Sequence, residues 1–234
     1  MKRSILFSSV LCLVLGLLIG SLLPTPWDKP SVPAVPVLSN SFSSSAPSVS
    51  NSVGTQTSPD ETALDSSDNF PLLNVACTVV QALRQQDYSS VASFVHPSKG
   101  VTFTPYSTVD PDSDRVFSRE EIMNLTQDST IYTWGTVDGR GSPIELTMED
   151  YFARYVFNAD YSQAPQIGVD RILMHGNALE NLKEAYPQGR FVDFCYPRLD
   201  EANEGLDWCS LKLVFEPVGS NWLLVGVVHG EWTI

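Results

Sequence analysis

The stretch GLDWCSLKLVFEPVGSNWLLVGVVHGEWTI, Gly205 to Ile234, decides the fold. Two apolar runs flank Pro217-Val218-Gly219-Ser220-Asn221, whose composition reads as a turn. In the first run Cys209, Leu211, Leu213 and Phe215 alternate with Ser210, Lys212 and Glu216. That period of two predicts a strand with one buried and one solvent-facing side. The second run, Trp222 to Val228, is apolar at consecutive positions, which predicts a strand inside the sheet with both sides covered. Gly226 interrupts it, and a glycine there marks a bulge, a bend or a close approach.

Upstream, the elements alternate in kind. Asp68-Asn69 caps a helix with Pro71 in its first turn, and Leu72, Leu73, Ala76, Val79, Val80 and Leu83 form its apolar stripe. Asp87 caps a second, short helix that stops near His96, because Pro97 disfavours helix before it. A strand follows at VTFTPYSTV, and Ser118 and Glu121 have capping-box spacing for the next helix. Thr130 to Val137 reads as a strand, residues 138–142 as a loop, and MEDYFARYVFN as a helix capped by Thr147. Further on, a short strand is expected at Val169 to Leu173, a helical stretch through Leu179, Leu182 and Tyr186, and a strand at Arg190 to Tyr196. Helices first and antiparallel strands last predict an α+β fold, N-terminal helices packed on a curved antiparallel sheet.

The N-terminus has a different physics. Ser4 to Leu23 is twenty residues without a charge, behind Lys2 and Arg3. As a helix it would span roughly 30 Å, the thickness of bilayer hydrocarbon. It ends in Leu22-Leu23-Pro24 with no small-residue cleavage site close by. The expectation is a signal anchor over residues 1–23, N-terminus cytoplasmic and the remainder outside; the alternative is secretion after signal cleavage. Leu11 before Cys12, and the apolar run beyond it, argue against lipidation. Residues 24–70, rich in Ser and Pro, read as a disordered tether reaching roughly 40 Å. The folded part is then residues 71–234.

The chain carries a net charge of −13, of which −11 falls after residue 70. Such acidity repels phosphate backbones, so no nucleic-acid partner is expected, whereas cations are attracted. The sharpest motif is acidic too. Asp110, Asp112, Asp114, Val116, Ser118 and Glu121 fall at positions 1, 3, 5, 7, 9 and 12 of a calcium loop. Arg115 stands where such a loop needs glycine, and the competing reading is a solvated turn leading into a capped helix. Calcium, bound through Asp110, Asp112, Asp114 and Glu121, is therefore one expectation for a cofactor.

Cys195 and Cys209 flank a loop between two expected strands, where a disulfide and two unrelated thiols are both open readings. No nucleophile elbow, phosphate loop, dinucleotide fingerprint or HExxH motif occurs. Asp170, His175 and His229 supply the one His–carboxylate combination suited to acid–base chemistry. His96 reads as a helix-ending residue.

The segments ALRQQDYSSVASFVHPSKGVTFTPY (Ala82–Tyr106), TWGTVDGRGSPIELTMEDYFARYVF (Thr133–Phe157) and WLLVGVVHGEWTI (Trp222–Ile234) resemble bacterial exported proteins, several of them lipoproteins, with an NTF2-like (cystatin-like) domain. The resemblance implies a cone of helices on a curved sheet, but no activity. Such cones enclose a pocket, and Tyr106, Trp134, His229 and Trp232 are the candidates to line it. The functional expectation is a membrane-anchored, non-catalytic module that binds an envelope protein, a peptide or a small ligand, or forms a homo-oligomer. The alternatives are a small-molecule enzyme using the cone interior and a calcium-dependent adhesion or sensing module.

Overall fold

The closing ribbon forms the centre of the sheet. The computed structural model describes residues 66–233. Within them β7 (Cys209–Val218) and β8 (Asn221–Glu231) pair antiparallel from Cys209↔Glu231 to Val218↔Asn221, around a turn at Gly219-Ser220. Val214 faces Gly226 and Phe215 faces Leu224, so Val225 is the extra residue of a bulge. A Cβ on Gly226 would stand 2.8 Å from the Tyr186 hydroxyl. The glycine therefore serves both a bulge and a close approach, the neighbour being a side chain.

The other strands are β1 (Val101–Thr104), β2 (Arg115–Phe117), β5 (Gln166–Val169) and β6 (Arg190–Tyr196), in the order β2-β1-β8-β7-β6-β5. β1 runs parallel to β8, with Phe103 opposite Val227, while its pairing with β2 is antiparallel. The sheet is thus mixed, which corrects the purely antiparallel expectation. A separate two-stranded sheet joins β3 (Ile131–Thr136) to β4 (Pro143–Thr147).

Helix α1 (Ser66–Arg84) begins inside the stretch expected as tether and carries Pro71 within it, past its first turn. The remaining helices are short: α2 (Tyr88–Phe94), α3 (Arg119–Met123), α4 (Met148–Tyr151) and α5 (Leu182–Ala185). Asp87, Ser118 and Thr147 cap α2, α3 and α4 through their side chains, and Ser118 with Glu121 completes a capping box. After α4 the chain widens into a π-helical turn over Phe152–Val156. The strand expected at Val169 to Leu173 lies earlier, at β5, and ends where Asp170 turns to φ +51°. Of the helical stretch expected around Leu179, only α5 forms, and Leu179 is 70% exposed.

Helices α1 to α4 cover one side of the sheet, and α5 lies on the other. Leu72, Ala76, Val79 and Leu83 of α1 share a core with Val192, Phe194, Leu211, Leu213, Phe215 and Val227. Aromatic rings extend it, with Phe103 packed on Phe117, Trp134, Tyr151 and Phe152. The opposite side is covered too, by Val109 and by Ile172, Leu182 and Tyr186 against Phe191, Val214, Val225 and Val228. β7 is consequently buried on both sides, and Ser210 and Lys212 lose all contact with solvent. This corrects the half-exposed reading of that strand.

Cys195 and Cys209 are free thiols. Cys195 pairs with Ser210 and Cys209 with Tyr196, one residue out of step, so their side chains lie on opposite sides of the sheet. The disulfide reading is corrected accordingly. Among the described residues no helix is long and apolar enough to cross a membrane. The expected anchor, and the tether up to residue 65, lie outside the described residues.

Candidate functional site

After β1 the chain leaves the sheet at Thr104, folds over the rim through residues 105–109, and returns as β2 by way of Asp110-Pro-Asp-Ser-Asp114. The returning turn closes on itself. Asp110 accepts from Asp112 N at 3.1 Å and from Ser113 Oγ at 2.8 Å, and its carbonyl accepts from Asp114 N at 2.8 Å. Asp114 points the other way, inward. Its Oδ2 accepts from buried Thr104 Oγ1 at 2.6 Å and from Asp110 N at 3.0 Å. Burial, only partly offset by those bonds, pushes its pKa up to about 6.

Facing this turn is the tip of the β3–β4 hairpin. Val137 O accepts from Arg140 N and Gly141 N, and Gly139 and Gly141 take φ +69° and +67°. Gly135, at φ +104°, looks across at Ser113 Oγ and Pro105, 3.8 and 3.9 Å from where its Cβ would lie. Its missing side chain leaves the gap open. The gap is a cleft of about 500 Å³, walled by the Asp110–Asp114 turn, the hairpin tip, Tyr106 and Ala178-Leu179. Trp134 forms its base, stacked on Tyr151 at 3.7 Å and donating Nε1–H to Leu146 O at 3.0 Å. Asp110, Asp114 and Asp138 line the cleft, and among the described residues no basic side chain does. Its field favours a positively charged or hydrogen-bond-donating occupant.

Two of the four residues expected to line a pocket, Tyr106 and Trp134, meet here. His229 does not; it is buried behind Tyr155, which lies edge-on between Tyr106 (5.9 Å) and the imidazole (5.7 Å). Trp232 is 41% exposed and belongs to neither group. The Asp170, His175 and His229 combination does not form, since Asp170 is engaged by Arg190 at 2.7 Å and His175 is on the surface. His229 instead stands 3.3 Å from Glu231, whose carboxylate takes both amino groups of Arg154 at 3.0 and 2.7 Å. Arg154 and Tyr155 reach these positions from the π turn, a wide-pitch insertion frequent at functional sites. Burial lowers the His229 pKa, against the opposing pull of the Glu231 carboxylate. Burial alone would raise Glu231, but His229 and Arg154 outweigh it and hold the carboxylate at about 2.

The calcium-loop residues are spread over different tasks. Asp110 holds its own turn, Asp114 faces the cleft, and Glu121 accepts from Ser118 N and Oγ at 2.7 Å at the start of α3. Asp112 is exposed. Among the described residues no three His, Cys, Asp or Glu side chains converge to hold a metal ion.

A second polar group escaped the sequence reading. On the far side of the sheet Lys212 is opposite Asp193 in the β6–β7 ladder and 3.3 Å from Glu180. Burial raises the Asp193 pKa, against the charge of Lys212 and a hydrogen bond from Leu173 N. The available signal was a lone charge in the middle of each of two apolar strands, FVDFCY and SLKLVF.

No protein-family model matches the sequence, and no curated protein matches it. Among solved structures the chain is similar to an NTF-2 like protein of unknown function from Shewanella oneidensis, at 11% identity and TM-score 0.32, over 70% of this chain and 99% of that one. It is also similar to a domain of unknown function with a cystatin-like fold from Nostoc punctiforme, at 8% identity and TM-score 0.32, over 74% of this chain and 81% of that one.

Proposed function

We propose that the chain is a non-catalytic, NTF2-like binding module whose ligand site is the cleft over Trp134, and whose ligands are small organic cations. The reading joins this head to the apolar N-terminal run, which anchors it in a membrane with the head outside. One observation carries the ligand class. Asp114 is a partly buried carboxylate facing a cleft that no basic side chain lines, and its Oδ1 accepts no hydrogen bond among the described residues. Holding a carboxylate in such a place raises its energy, and a cation delivered to it recovers that energy. What supports a non-catalytic role is the placement of His229–Glu231, the one His–carboxylate contact among the described residues, behind Tyr155 and away from the cleft.

Titration calorimetry with spermidine as probe tests the reading on the full-length chain in detergent. Binding is expected at pH 7.5, weakening as Asp114 takes up its proton below about pH 6, and falling about tenfold or more in Asp114→Asn. A wild-type chain that takes up no spermidine, or an Asp114→Asn variant that binds it undiminished, sinks the proposal.

A further inference from the structure

Lys212 sits at the middle of β7 with its side chain wholly shut off from solvent. A buried ammonium is tolerated only where partners replace its water. Its Nζ donates to Ser107 Oγ at 3.3 Å and to Glu180 Oε1 at 3.3 Å. These partners come from two different covering segments. Ser107 lies between Tyr106 and Thr108, and Glu180 follows Ala178 and Leu179; all four of those neighbours line the cleft.

Neither segment is held by a backbone ladder at these points. Residues 105–109 and 171–180 carry no helix or strand. Side chains tie them instead. Thr108 Oγ1 donates to Leu179 O at 2.7 Å, and Asn181 bonds both the N–H and the carbonyl of Val109, at 2.8 and 2.9 Å. Asp193, opposite Lys212, accepts from Leu173 N at 2.9 Å and holds the second segment at its other end. Lys212 is the member that reaches both segments from the sheet. Nothing compensates if it is lost, because Glu180 Oε2, Asp193 Oδ1 and Ser210 Oγ are already buried without a hydrogen bond among the described residues.

We propose that Lys212 is a positioning residue for the cleft, fixing residues 105–109 and 173–180 from behind so that Tyr106, Thr108, Ala178 and Leu179 form its wall. The proposal rests on the cleft being the ligand site. A general stabilising role makes a different forecast. Buried ion pairs exchanged for apolar pairs of like volume often keep or raise stability, so an anchor that matters for geometry is separable from one that matters for stability.

Hydrogen–deuterium exchange on the full-length chain separates them. Lys212→Met is expected to speed exchange about tenfold in residues 105–109 and 173–180, while β6, β7 and β8 keep their protection. In Lys212→Met/Glu180→Leu the melting temperature recovers in part, by the share of the loss that Glu180 carries, since Asp193 stays buried without its cation; exchange in both segments stays fast and spermidine affinity stays about fivefold or more below wild type. Ser107→Ala, a milder change that removes one tie, is expected to loosen residues 105–109 alone. Faster exchange spread evenly over the sheet, or a double variant that recovers both segments together with stability, overturns the proposal. The exchange pattern is read without ligand, so a wild-type chain that ignores spermidine defeats the ligand reading and leaves the anchor standing on the exchange result.

Discussion

The two sides of this sheet are closed in different ways. On the helix side the covering elements are regular, their own hydrogen bonds are internal, and apolar and aromatic contact does the rest, as at Phe103 with its four aromatic neighbours. On the far side the short helix α5 and irregular chain cover the strands, and the irregular chain has no ladder there. A few side-chain bonds and the Lys212 cluster hold it alongside a small apolar group. The cleft lies where the two meet, with helix-side Trp134 as its base and irregular chain as one wall. Regular elements packed on a dry core resist adjustment, whereas segments pinned at a handful of points can present a gap with polar walls.

The comparison breaks most easily at Phe103. Truncation to Ala removes a side chain 1% exposed from the middle of the aromatic cluster. The expected loss is about 3–5 kcal/mol, measured by denaturant unfolding, and no single polar change elsewhere should recover it. Lys212→Met comes next. Alone it leaves two buried carboxylates without their cation and should cost about 3 kcal/mol. Adding Glu180→Leu should return part of that, with Asp193 still unpaired. A core truncation that behaved like the polar one, or a polar loss that could not be repaired, would erase the distinction between the sides.

The sequence carried the helix side well and the far side poorly, for identifiable reasons. Alternation marked Leu211, Leu213 and Phe215 as one buried row, and Gly226 marked the bulge. Capping chemistry located the starts of α2, α3 and α4, because those signals are local. Alternation also assigned Lys212 to solvent, since a period of two reports that two sides differ and not that both are covered. The covering segments have no period, so nothing in them announces what they cover. The parallel pairing of β1 with β8 joins residues more than a hundred positions apart and leaves no local trace. At the cleft, Tyr106 and Trp134 stood out as aromatics, but three nearby aspartates looked alike until the fold turned Asp114 inward.

Asp114 sharpens the comparison from the cleft. Its folded pKa, about 6, lies above the ordinary carboxylate value, so the folded chain binds the extra proton between about pH 4 and 6. Stability from this group is therefore greatest at low pH and declines as pH rises through that window. Asp114→Asn should remove the decline and raise the melting temperature at pH 7 by about 2–4 °C per kcal/mol recovered. A wall built for rigidity would show the reverse. Gain in stability together with loss of spermidine binding is the pattern expected of a carboxylate kept for a ligand.

The smallest effect tests the seam between the sides. A Cβ at Gly226 would lie 2.8 Å from the Tyr186 hydroxyl and 3.2 Å from Val214 Cβ. The hydroxyl is the far end of a side chain from the irregular cover, so it can swing aside, while Val214 sits in the β7 ladder and has less freedom. Gly226→Ala should then cost only about 1 kcal/mol, because displacement of a movable phenol offsets most of the overlap. Its signature lies in location. Tyr186 closes one end of a smaller cleft with Leu182, Arg190 and Phe191, so exchange should quicken at residues 182–189 while α1 and the Phe103 cluster keep their protection. Quickening in α1 instead would mean that strain crosses the sheet, and that the two sides are one mechanical unit.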